Sequence, residues 1–525
     1  MTMIKIILKI KLFFLFSLIF VVGSSSAYPI HYIPVDDEYY QWYRWLQFDT
    51  EFHAQHPFST HYRLFQNQKL LSDSSGQVSP ELLWASRLLT ETRSDCSSDM
   101  MGVLSLRNQT VTVQHTGLSD SLTDRLKAAF SLEYRLTTRL SFFSRFYADT
   151  RGLHDSRYPG HRWGASNSDL AGMNDITVLI YRHPRWGDLT LGKQPLYWGH
   201  PTSGALMLSD NAPPMTMIHY QKQSRRFIFT YFTAQLNDIF TQPNNDYYKE
   251  RINRYLSAHR LDFQLTPAVQ IALSEMVLYG GQSRKLEWYY LNPFSIYFLE
   301  QFTAALPFTS ESSEDDNLFL DLEFFWKVHP RWNLYLDWFI DDFQYDMVSE
   351  PNEISFTVGS EYMMNHGWLH GYWSMEYTRI NNWVYGQNKV WNRYLHYHSI
   401  IGHYMGPDGH QLQTRFQSVL GRHWMAALAG AWQAKGEGSV YDDRGSVVPD
   451  TQFPSGIVTS RYRMELSLTW RPSLSKQVRT SFGWEHAKNL NHQAGDRDTG
   501  LSFQLELIWQ QPVTPLLHSL IDQLR

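Results

Sequence analysis

The sequence predicts a transmembrane antiparallel β-barrel, an all-β fold of about 16–18 strands preceded by a small helical segment. Three observations predict it. From about residue 126 onward, apolar and polar side chains alternate with a period of two. The alternating segments are about 9–11 residues long, which is the length that crosses a bilayer at a tilt. Short proline-containing turns alternate with long polar loops, as they do in bacterial outer-membrane barrels.

The first 27 residues carry the pattern of a cleaved signal peptide. Three lysines lead into an apolar run over residues 12–22, and small residues follow up to Ala27. Ser25 and Ala27 stand at the −3 and −1 positions of a cut before Tyr28. An amino-terminal membrane anchor is the alternative, but the run is shorter than the roughly 20 residues of a spanning helix. We therefore expect residues 1–27 to be removed after export.

Residues 28–100 predict a small periplasmic helical segment that closes the inner mouth of the barrel. Tyrosines recur at helical spacing after an acidic start at 36–38. Ser79 and Pro80 are typical of the cap and the first position of a second helix. A disordered lead-in is the alternative interpretation.

Residues 101–510 contain the alternating segments of the predicted barrel. Over 318–328 the even-numbered residues are apolar, whereas Asp321, Glu323 and Lys327 share the opposite face. The same pattern is repeated at 332–341, 462–470 and 501–509. Trp and Tyr near the strand ends predict interfacial girdles, and the charged face predicts a wet lumen.

Turn length predicts which end of the barrel faces the periplasm. Short turns with proline lie at 183–187, 266–267, 329–331 and 471–473. Long polar stretches lie at about 149–174, 194–214, 235–257, 278–316, 378–410 and 435–459. We expect the short turns in the periplasm and the long loops outside the cell. Residues 511–525, which follow the last aromatic strand residue Trp509, predict a periplasmic tail.

Composition excludes several classes of protein. Aromatic residues make up 15% of the chain and charged residues only 18%, against about 25% charged residues in ordinary soluble domains. A net charge of −5 does not favour a nucleic-acid partner. Cys96 is the only cysteine, which excludes an intramolecular disulfide and a cysteine-based zinc site.

A large soluble all-β protein is the alternative to a membrane barrel, although its strands would average about 5–6 residues.

Several segments together resemble the Wzi family of outer-membrane capsule assembly proteins. They are the tryptophan-glycine loop at 189–199, the proline-methionine turn at 209–216, the Asn-Pro element at 290–297, the Glu-Tyr-Thr-Arg tetrad at 376–379 and the glycine-rich loop at 402–409. The resemblance implies a monomeric barrel of about eighteen strands with a helical periplasmic piece. The amino-terminal segment and the tail beyond Trp509 depart from the family pattern.

The resemblance also implies a function and partners. A protein of this kind binds capsular or exopolysaccharide and helps to attach or assemble it at the surface of the bacterial outer membrane. Its expected partners are the polysaccharide, outer-membrane lipid and the polysaccharide export machinery. It is not an enzyme, and no cofactor is implied.

Carbohydrate binding needs aromatic faces that pack on sugar rings and polar groups that hydrogen-bond the hydroxyls. The long stretch at 378–410 supplies this mixture, and a second aromatic cluster lies at 288–290. The predicted ligand-binding residues are Trp288, Tyr289, Trp383, Tyr385, Trp391, Arg393, Tyr394 and His396. The alternative is that these aromatic residues pack the loops onto one another.

A diffusion channel and an outer-membrane hydrolase are the alternative functions. The sequence has no nucleophile motif, metal-ligand motif, phosphate loop or dinucleotide fingerprint, so we expect no catalytic residues, no metal and no cofactor. A catalytic triad assembled from distant residues stays open. A porin-like channel needs charged side chains that face the lumen. The candidates are Arg139, Arg145, Arg260, Asp262, Asp321, Glu323, Asp337 and Arg463.

Overall fold

A computed structural model gives the arrangement of most of the predicted barrel. It describes residues 44–45, 48, 100–116, 120–155, 158–159, 169–224, 226–241, 250–282, 284–300, 316–342, 352–366, 369–442, 452–473 and 475–513. The predicted signal peptide, most of the predicted amino-terminal helical segment and nearly all of the predicted tail lie outside these residues. None of the helices in this part of the chain combines the length and apolar composition that bilayer crossing requires.

Eighteen strands, counted over the described residues, form one antiparallel sheet that closes on itself. They are β1 (Met100–His115), β2 (Ser121–Arg135), β3 (Leu140–Asp149), β4 (Ala171–His183), β5 (Gly187–Gln194), β6 (Met215–Gln223), β7 (Phe227–Gln235 and Ile239–Thr241), β8 (Glu250–Thr266), β9 (Val269–Gln282), β10 (Asn317–His329), β11 (Trp332–Asp342), β12 (Glu353–His366), β13 (Leu369–Ile380), β14 (Gly409–Leu420), β15 (Trp424–Lys435), β16 (Thr459–Ser473), β17 (Lys476–Lys488) and β18 (Arg497–Pro512). The two segments of β7 both pair with β8 and count as one interrupted strand.

The connections carry only short elements. Two helices of one turn follow β9, namely α1 (Trp288–Leu291) and α2 (Tyr297–Glu300). Single turns of 3-10 helix lie at Gly152–His154, Val390–Asn392 and Leu490–His492. A two-residue ladder pairs Leu395–His396 with Ser399–Ile400. The predicted all-β barrel of 16–18 strands is therefore confirmed.

Burial confirms the two faces that the sequence predicts for residues 318–328. On β10, Leu320 and Trp326 are 37% and 42% exposed, whereas Asp321 and Glu323 are 4% and 2% exposed. The exposed side chains face outward, where lipid replaces water as the neighbour, and the charged ones face the lumen. Of the predicted lumen-facing candidates, Arg139 is the exception, because it lies in the turn between β2 and β3.

Loop lengths and aromatic rings define the two ends of the barrel. All connections after odd-numbered strands are at one end and include every long loop, whereas those after even-numbered strands are short. Trp424 and Trp470 stack at the short-turn end with ring centroids 6.0 Å apart. Tyr462 lies eight residues from Trp470 on the same face, which is about 27 Å along a strand. This span suits an apolar band about 25 Å tall crossed at a tilt.

We expect adjacent residues of β15 to respond differently to arginine. Leu428 is 49% exposed on the outer wall, whereas Ala429 faces the lumen opposite Glu465. Leu428→Arg places a charge in lipid and should lower the free energy of unfolding by about 2–4 kcal/mol. Ala429→Arg faces a carboxylate and should change it by less than about 1 kcal/mol. Urea unfolding in phospholipid vesicles measures both changes, and equal losses would show that the faces are assigned wrongly.

Candidate functional site

Residues 195–214, here called the lumen loop, connect β5 to β6 by folding into the barrel. The loop contains several apolar side chains, and their exposure to water at a cell surface would be unfavourable. The barrel interior buries them. The buried members include Leu196, Trp198, Ala205, Leu206, Met207 and Leu208. The loop closes on itself where the Trp198 N–H donates to the Leu208 carbonyl oxygen at 2.8 Å.

Carboxylates on the lumen face of the strands hold the backbone of this loop. Glu376 of β13 accepts hydrogen bonds from the N–H groups of Thr202 and Ser203, the latter at 2.8 Å. The Tyr335 hydroxyl of β11 donates to the same carboxylate. The Tyr335 ring crosses Gly359 of β12, where an added Cβ would lie 2.1 Å from ring atoms. Glycine at this position therefore lets tyrosine reach Glu376.

A buried ion cluster lies beneath the lumen loop. The Arg260 guanidinium donates to Asp262 at 2.8 Å and also contacts Glu323. His200 of the lumen loop stacks on Phe325 with ring centroids 4.5 Å apart, and its Nδ1 lies 3.5 Å from Glu323. Buried charges need such partners because water no longer solvates them. The cluster thus couples the strand wall to the loop.

The amino-terminal segment reaches the same loop from the short-turn end. The Arg44 guanidinium donates to Glu361 of β12 and to the backbone carbonyl of His200. The Trp45 ring packs on Tyr372 with centroids 5.9 Å apart. These contacts support a segment that closes the inner mouth, although most of its residues lie outside the described ones and that idea stays a prediction.

Residues 381–408, here called the cap loop, connect β13 to β14 and cover the lumen loop. The hydroxyl of Tyr385 donates to the Leu206 carbonyl at 2.6 Å, and that of Tyr394 donates to the Met207 carbonyl. The two tyrosine rings stack at 5.4 Å with 14° between their planes, and both are fully buried. The cap loop and the lumen loop therefore pack as one unit.

Strand residues and a neighbouring loop hold the cap loop at its edges. Buried Arg254 of β8 donates to the backbone carbonyls of Trp391 and Arg393, each at 2.7 Å. Asp408 accepts the N–H groups of Gly438 and Ser455 at 2.8 and 2.9 Å, which ties the cap loop to the connection after β15. These hydrogen bonds hold a loop in which several residues have uncommon backbone φ angles.

Four residues of the cap loop that are not glycine have positive φ. Their φ angles are 71° at Trp383, 71° at Tyr385, 55° at Tyr397 and 61° at Asp408. Such conformations persist only where surrounding contacts compel them, and they cluster at binding sites.

Two histidines of the cap loop are buried as neutral rings. Burial lowers the pKa of His403 to about 3, and burial aided by the cation of Arg254 lowers the pKa of His396 to about 3. The His403 ring packs against Gly204 of the lumen loop, where an added Cβ would lie 3.0 Å from the ring. A proton on either ring would place an unsolvated charge inside the loop contact.

The structure divides the eight predicted ligand-binding residues into three groups. Buried within the loop packing are Tyr385, Tyr394 and His396. Half-buried at the surface of the cap loop are Trp383, Trp391 and Arg393. In the connection after β9, which packs on the outer wall, are Trp288 and Tyr289. Whether any of them touches a ligand stays a prediction.

The remaining half of the lumen holds a polar cavity of about 930 Å³. Cationic side chains outnumber acidic ones around it. The charged lining residues are Arg44, Arg107, Lys127, Arg145, Arg415, Arg463, Arg479, Asp210, Glu376 and Glu465. Several of these cations have acidic partners, such as Arg145 with Asp175 at 2.6 Å. Within the described ranges, no three His, Cys, Asp or Glu side chains are grouped as a metal site requires.

The lumen loop is the part of this site that the sequence analysis missed. An apolar run such as Ala205 to Leu208 inside a long loop, next to the tryptophan-glycine pair at 198–199, was the available signal. Surface loops seldom carry four consecutive apolar residues, because nothing covers them there.

Comparison with known proteins gives one family and several related folds. A family model described as capsule assembly protein Wzi matches residues 182–500, which is more than half of the 525-residue chain. Wzi of Escherichia coli, described as an outer membrane protein involved in group 1 capsule assembly and as a carbohydrate-binding β-barrel, has a similar structure. The TM-score is 0.53 with 15% identity over 81% of this chain and 88% of that one. At this identity the likeness shows the fold.

Two further solved structures have lower TM-scores. OccAB4 of Acinetobacter baumannii has a TM-score of 0.45 and 10% identity over 79% of this chain and 98% of that one. OprD of Pseudomonas aeruginosa has a TM-score of 0.42 and 11% identity over 79% and 94% of the two chains. No curated protein sequence matches the chain.

Glu376→Gln should loosen the lumen loop. The neutral amide accepts hydrogen bonds more weakly than a carboxylate, so the Thr202 and Ser203 N–H groups lose a charge-assisted partner. Hydrogen exchange at residues 199–206 should accelerate by roughly tenfold or more. Glu465→Gln is the control, since that carboxylate lines the cavity on another strand. Unchanged exchange in the first variant would contradict the anchoring role.

Acid should loosen the cap loop. In the folded protein the pKa values of His396 and His403 lie near 3, below the ordinary histidine value of about 6.5. Between these two pH values the rings therefore bind protons when the loop is open and stay neutral when it is closed. The contribution of the two neutral histidines to the stability of the closed cap loop is complete above pH 6.5 and is lost as the pH falls towards 3. At pH 5 each ring should contribute about 2 kcal/mol less to the free energy of loop opening than at pH 7.

Hydrogen exchange over 381–408, corrected for its intrinsic pH dependence, measures this loss. His403→Gln should reduce the pH dependence, whereas His398→Gln at an exposed position should leave it unchanged. A pH dependence that is the same in both variants would remove His403 from the explanation.

Proposed function

The chain belongs to the Wzi family of capsule assembly proteins, and on that premise we propose that it binds capsular or exopolysaccharide and helps to attach or assemble it at the cell surface. It is an outer-membrane β-barrel, with apolar side chains outside and charged side chains inside. The proposal places the binding surface at the long-loop end, because that end faces away from the cell.

One observation carries the proposal: the cap loop is held from below and at its edges, while polar and aromatic side chains stay accessible on its surface. We call this surface, together with Tyr441 of the connection after β15, the crown. Its cap-loop members are Trp383, Trp391, Arg393 and Tyr397. Binding costs less free energy when the contacting groups are already ordered. A rigid crown is therefore suited to capture a flexible glycan chain.

The side chains of the crown match the chemistry of sugars. Indole and phenol rings offer flat apolar faces to the C–H groups of a pyranose ring. The Arg393 guanidinium lies 6.0 Å from the centre of the Tyr441 ring, so a cation and an aromatic face stand side by side. The ammonium group of Lys389 lies 5.8 Å from the Trp391 ring. These pairs favour an oligosaccharide that carries acidic groups.

The proposed role is binding without catalysis. The barrel wall closes within one chain, which supports a monomer. Contact with the polysaccharide export machinery is a further part of the proposal, and the short-turn end is the side from which such machinery would approach. A hydrolase would have to use groups that the crown does not bring together.

A diffusion channel is the second candidate, and the cavity of about 930 Å³ is the observation that favours it. The lumen loop and the cap loop fill the other half of the barrel, which argues against wide passage. Ion conductance in planar bilayers without any glycan capture would support the channel and contradict the proposed function.

Trp391→Ala in the crown should weaken glycan capture. Loss of one stacking face is expected to cost about 1 kcal/mol, so the combined Trp383→Ala and Trp391→Ala variant should bind roughly tenfold or more weakly. Capsular polysaccharide from the producing strain, immobilised and probed with purified barrel, measures the change.

Trp424→Ala provides the matched control, since that tryptophan lies in the girdle at the opposite end of the barrel. It should bind like the unchanged protein. Undiminished capture by the double crown variant, with correct folding shown by heat-modifiable migration, would refute the crown as the binding surface.

A further inference from the structure

The outer wall of β7–β9 carries polar side chains at a depth where lipid is expected. His259 of β8 and Glu275 of β9 are direct cross-strand partners, and Glu275 is also paired with Leu320 of β10. Leu320 is 37% exposed on the outer wall, and paired residues share a face, so His259 and Glu275 point outward. The His259 ring nitrogen lies 3.0 Å from the Glu275 carboxylate.

The strand register gives the depth of the His259–Glu275 pair. Leu320 lies six residues from Trp326, an exposed member of the girdle at the short-turn end. Six residues span about 20 Å along a strand, or about 16 Å across the membrane at a tilt of about 40°. The apolar band is about 25 Å tall, so the His259–Glu275 pair lies within it on the side of the outer leaflet.

Residues 284–300, here called the outer flap, cover this polar region from outside. The N–H groups of Tyr297 and Phe298 donate to the Glu275 carboxylate at 2.9 and 2.6 Å. The Tyr297 ring lies 4.6 Å from the His259 ring. As a result Glu275 is only 6% exposed, although it is on the outer face of the barrel. The flap satisfies a carboxylate that lipid cannot solvate.

A second group of contacts fixes the flap to the wall. The Tyr231 hydroxyl of β7 donates to the Tyr290 carbonyl at 3.2 Å, and the Tyr290 ring packs 4.7 Å from Tyr279 of β9. The Tyr290 hydroxyl donates to Asp316 at 2.8 Å, and Arg284 donates to the same carboxylate at 2.9 Å. The inner side of the flap is therefore polar and aromatic, and it is bound to the wall.

The other side of the flap exposes large apolar side chains. Their exposed fractions are 85% for Trp288, 80% for Phe294, 56% for Ile296 and 57% for Leu299. Phe294 also stacks on Phe229, a residue on the outer face of β7, with centroids 5.7 Å apart. The exposed surface is thus continuous with the apolar wall below it, where Leu273 is 51% exposed.

We propose that the outer flap is a lipid-binding surface, which inserts Trp288, Phe294, Ile296 and Leu299 among the acyl chains of the outer leaflet. The occupant is lipid because the flap lies at the depth of the apolar band and extends the lipid-facing wall without a break. The flap covers the polar His259–Glu275 pair on the wall and presents apolar side chains to the lipid in its place. This surface is separate from the crown and does not depend on glycan binding.

Photo-crosslinking of the full-length barrel tests the proposal. A benzoylphenylalanine residue replaces Phe294 in one variant, Leu273 in a lipid-facing reference and Tyr441 in a reference at the long-loop end. Each variant is reconstituted into palmitoyl-oleoyl-phosphatidylcholine vesicles, irradiated, and analysed for lipid adducts by mass spectrometry. The adduct yield at Phe294 should be within about threefold of that at Leu273 and at least about tenfold above that at Tyr441.

Two outcomes would overturn the proposal. The first is a lipid yield at Phe294 no higher than at Tyr441. The second is an adduct between Phe294 and another polypeptide, either a second copy in vesicles or a different protein when irradiation is repeated in native outer membranes. Heat-modifiable migration shows that each variant is folded, and replacement of Trp288 is the second position if the Phe294 variant does not fold. Glycan capture by the same variants is measured separately, so a failed crown and a failed flap give different results.

Discussion

The satisfaction of backbone hydrogen bonds in lipid is the constraint on which the rest of this structure depends. An unpaired N–H or C=O group in hydrocarbon costs several kcal/mol, so a sheet that crosses a membrane must have no open edge. The pairing of β18 with β1, from Val103 opposite Pro512 to His115 opposite Gly500, removes the edge. Closure then gives every strand one face in lipid and one in the lumen. The lumen faces must carry the polar side chains, and loops supply the apolar groups that fill the space between them.

Carboxylates on the lumen faces turn this arrangement into a scaffold for loops. A buried carboxylate needs donors, and a loop that leaves water needs acceptors for its N–H groups. Glu376 meets both needs for Thr202 and Ser203, and the Asp337 carboxylate accepts the Leu206 N–H at 3.2 Å. Asp341 does the same for Tyr385 in the cap loop. The Thr202, Ser203 and Leu206 N–H groups of the lumen loop therefore keep hydrogen-bond acceptors where the loop enters the barrel.

Sequence reasoning predicted the strands well, because membrane crossing imposes a regular pattern. The faces of 318–328, 332–341, 462–470 and 501–509 are those expected, and the long loops lie together at one end. It did not predict how the loops fold, because their contacts join residues far apart in sequence and follow no period. Tyr385 and Trp383 are two residues apart and were grouped together, yet the former is fully buried against Leu206 while the latter is half-buried. Only the three-dimensional neighbours separate them.

For the same reason, the amino-acid composition of an aromatic loop at the long-loop end does not show which ligand the loop binds. The cap loop and the outer flap both combine Trp, Tyr and charged residues, and both follow an odd-numbered strand. They differ in which side of the wall they cover. The cap loop lies over lumen-facing Phe319 and Phe339, so its free side faces water, where a flat ring can bind a sugar. The flap lies over outward-facing His259 and Glu275, so its free side faces lipid. The direction in which the underlying strand residues point therefore separates the proposed glycan surface from the proposed lipid surface.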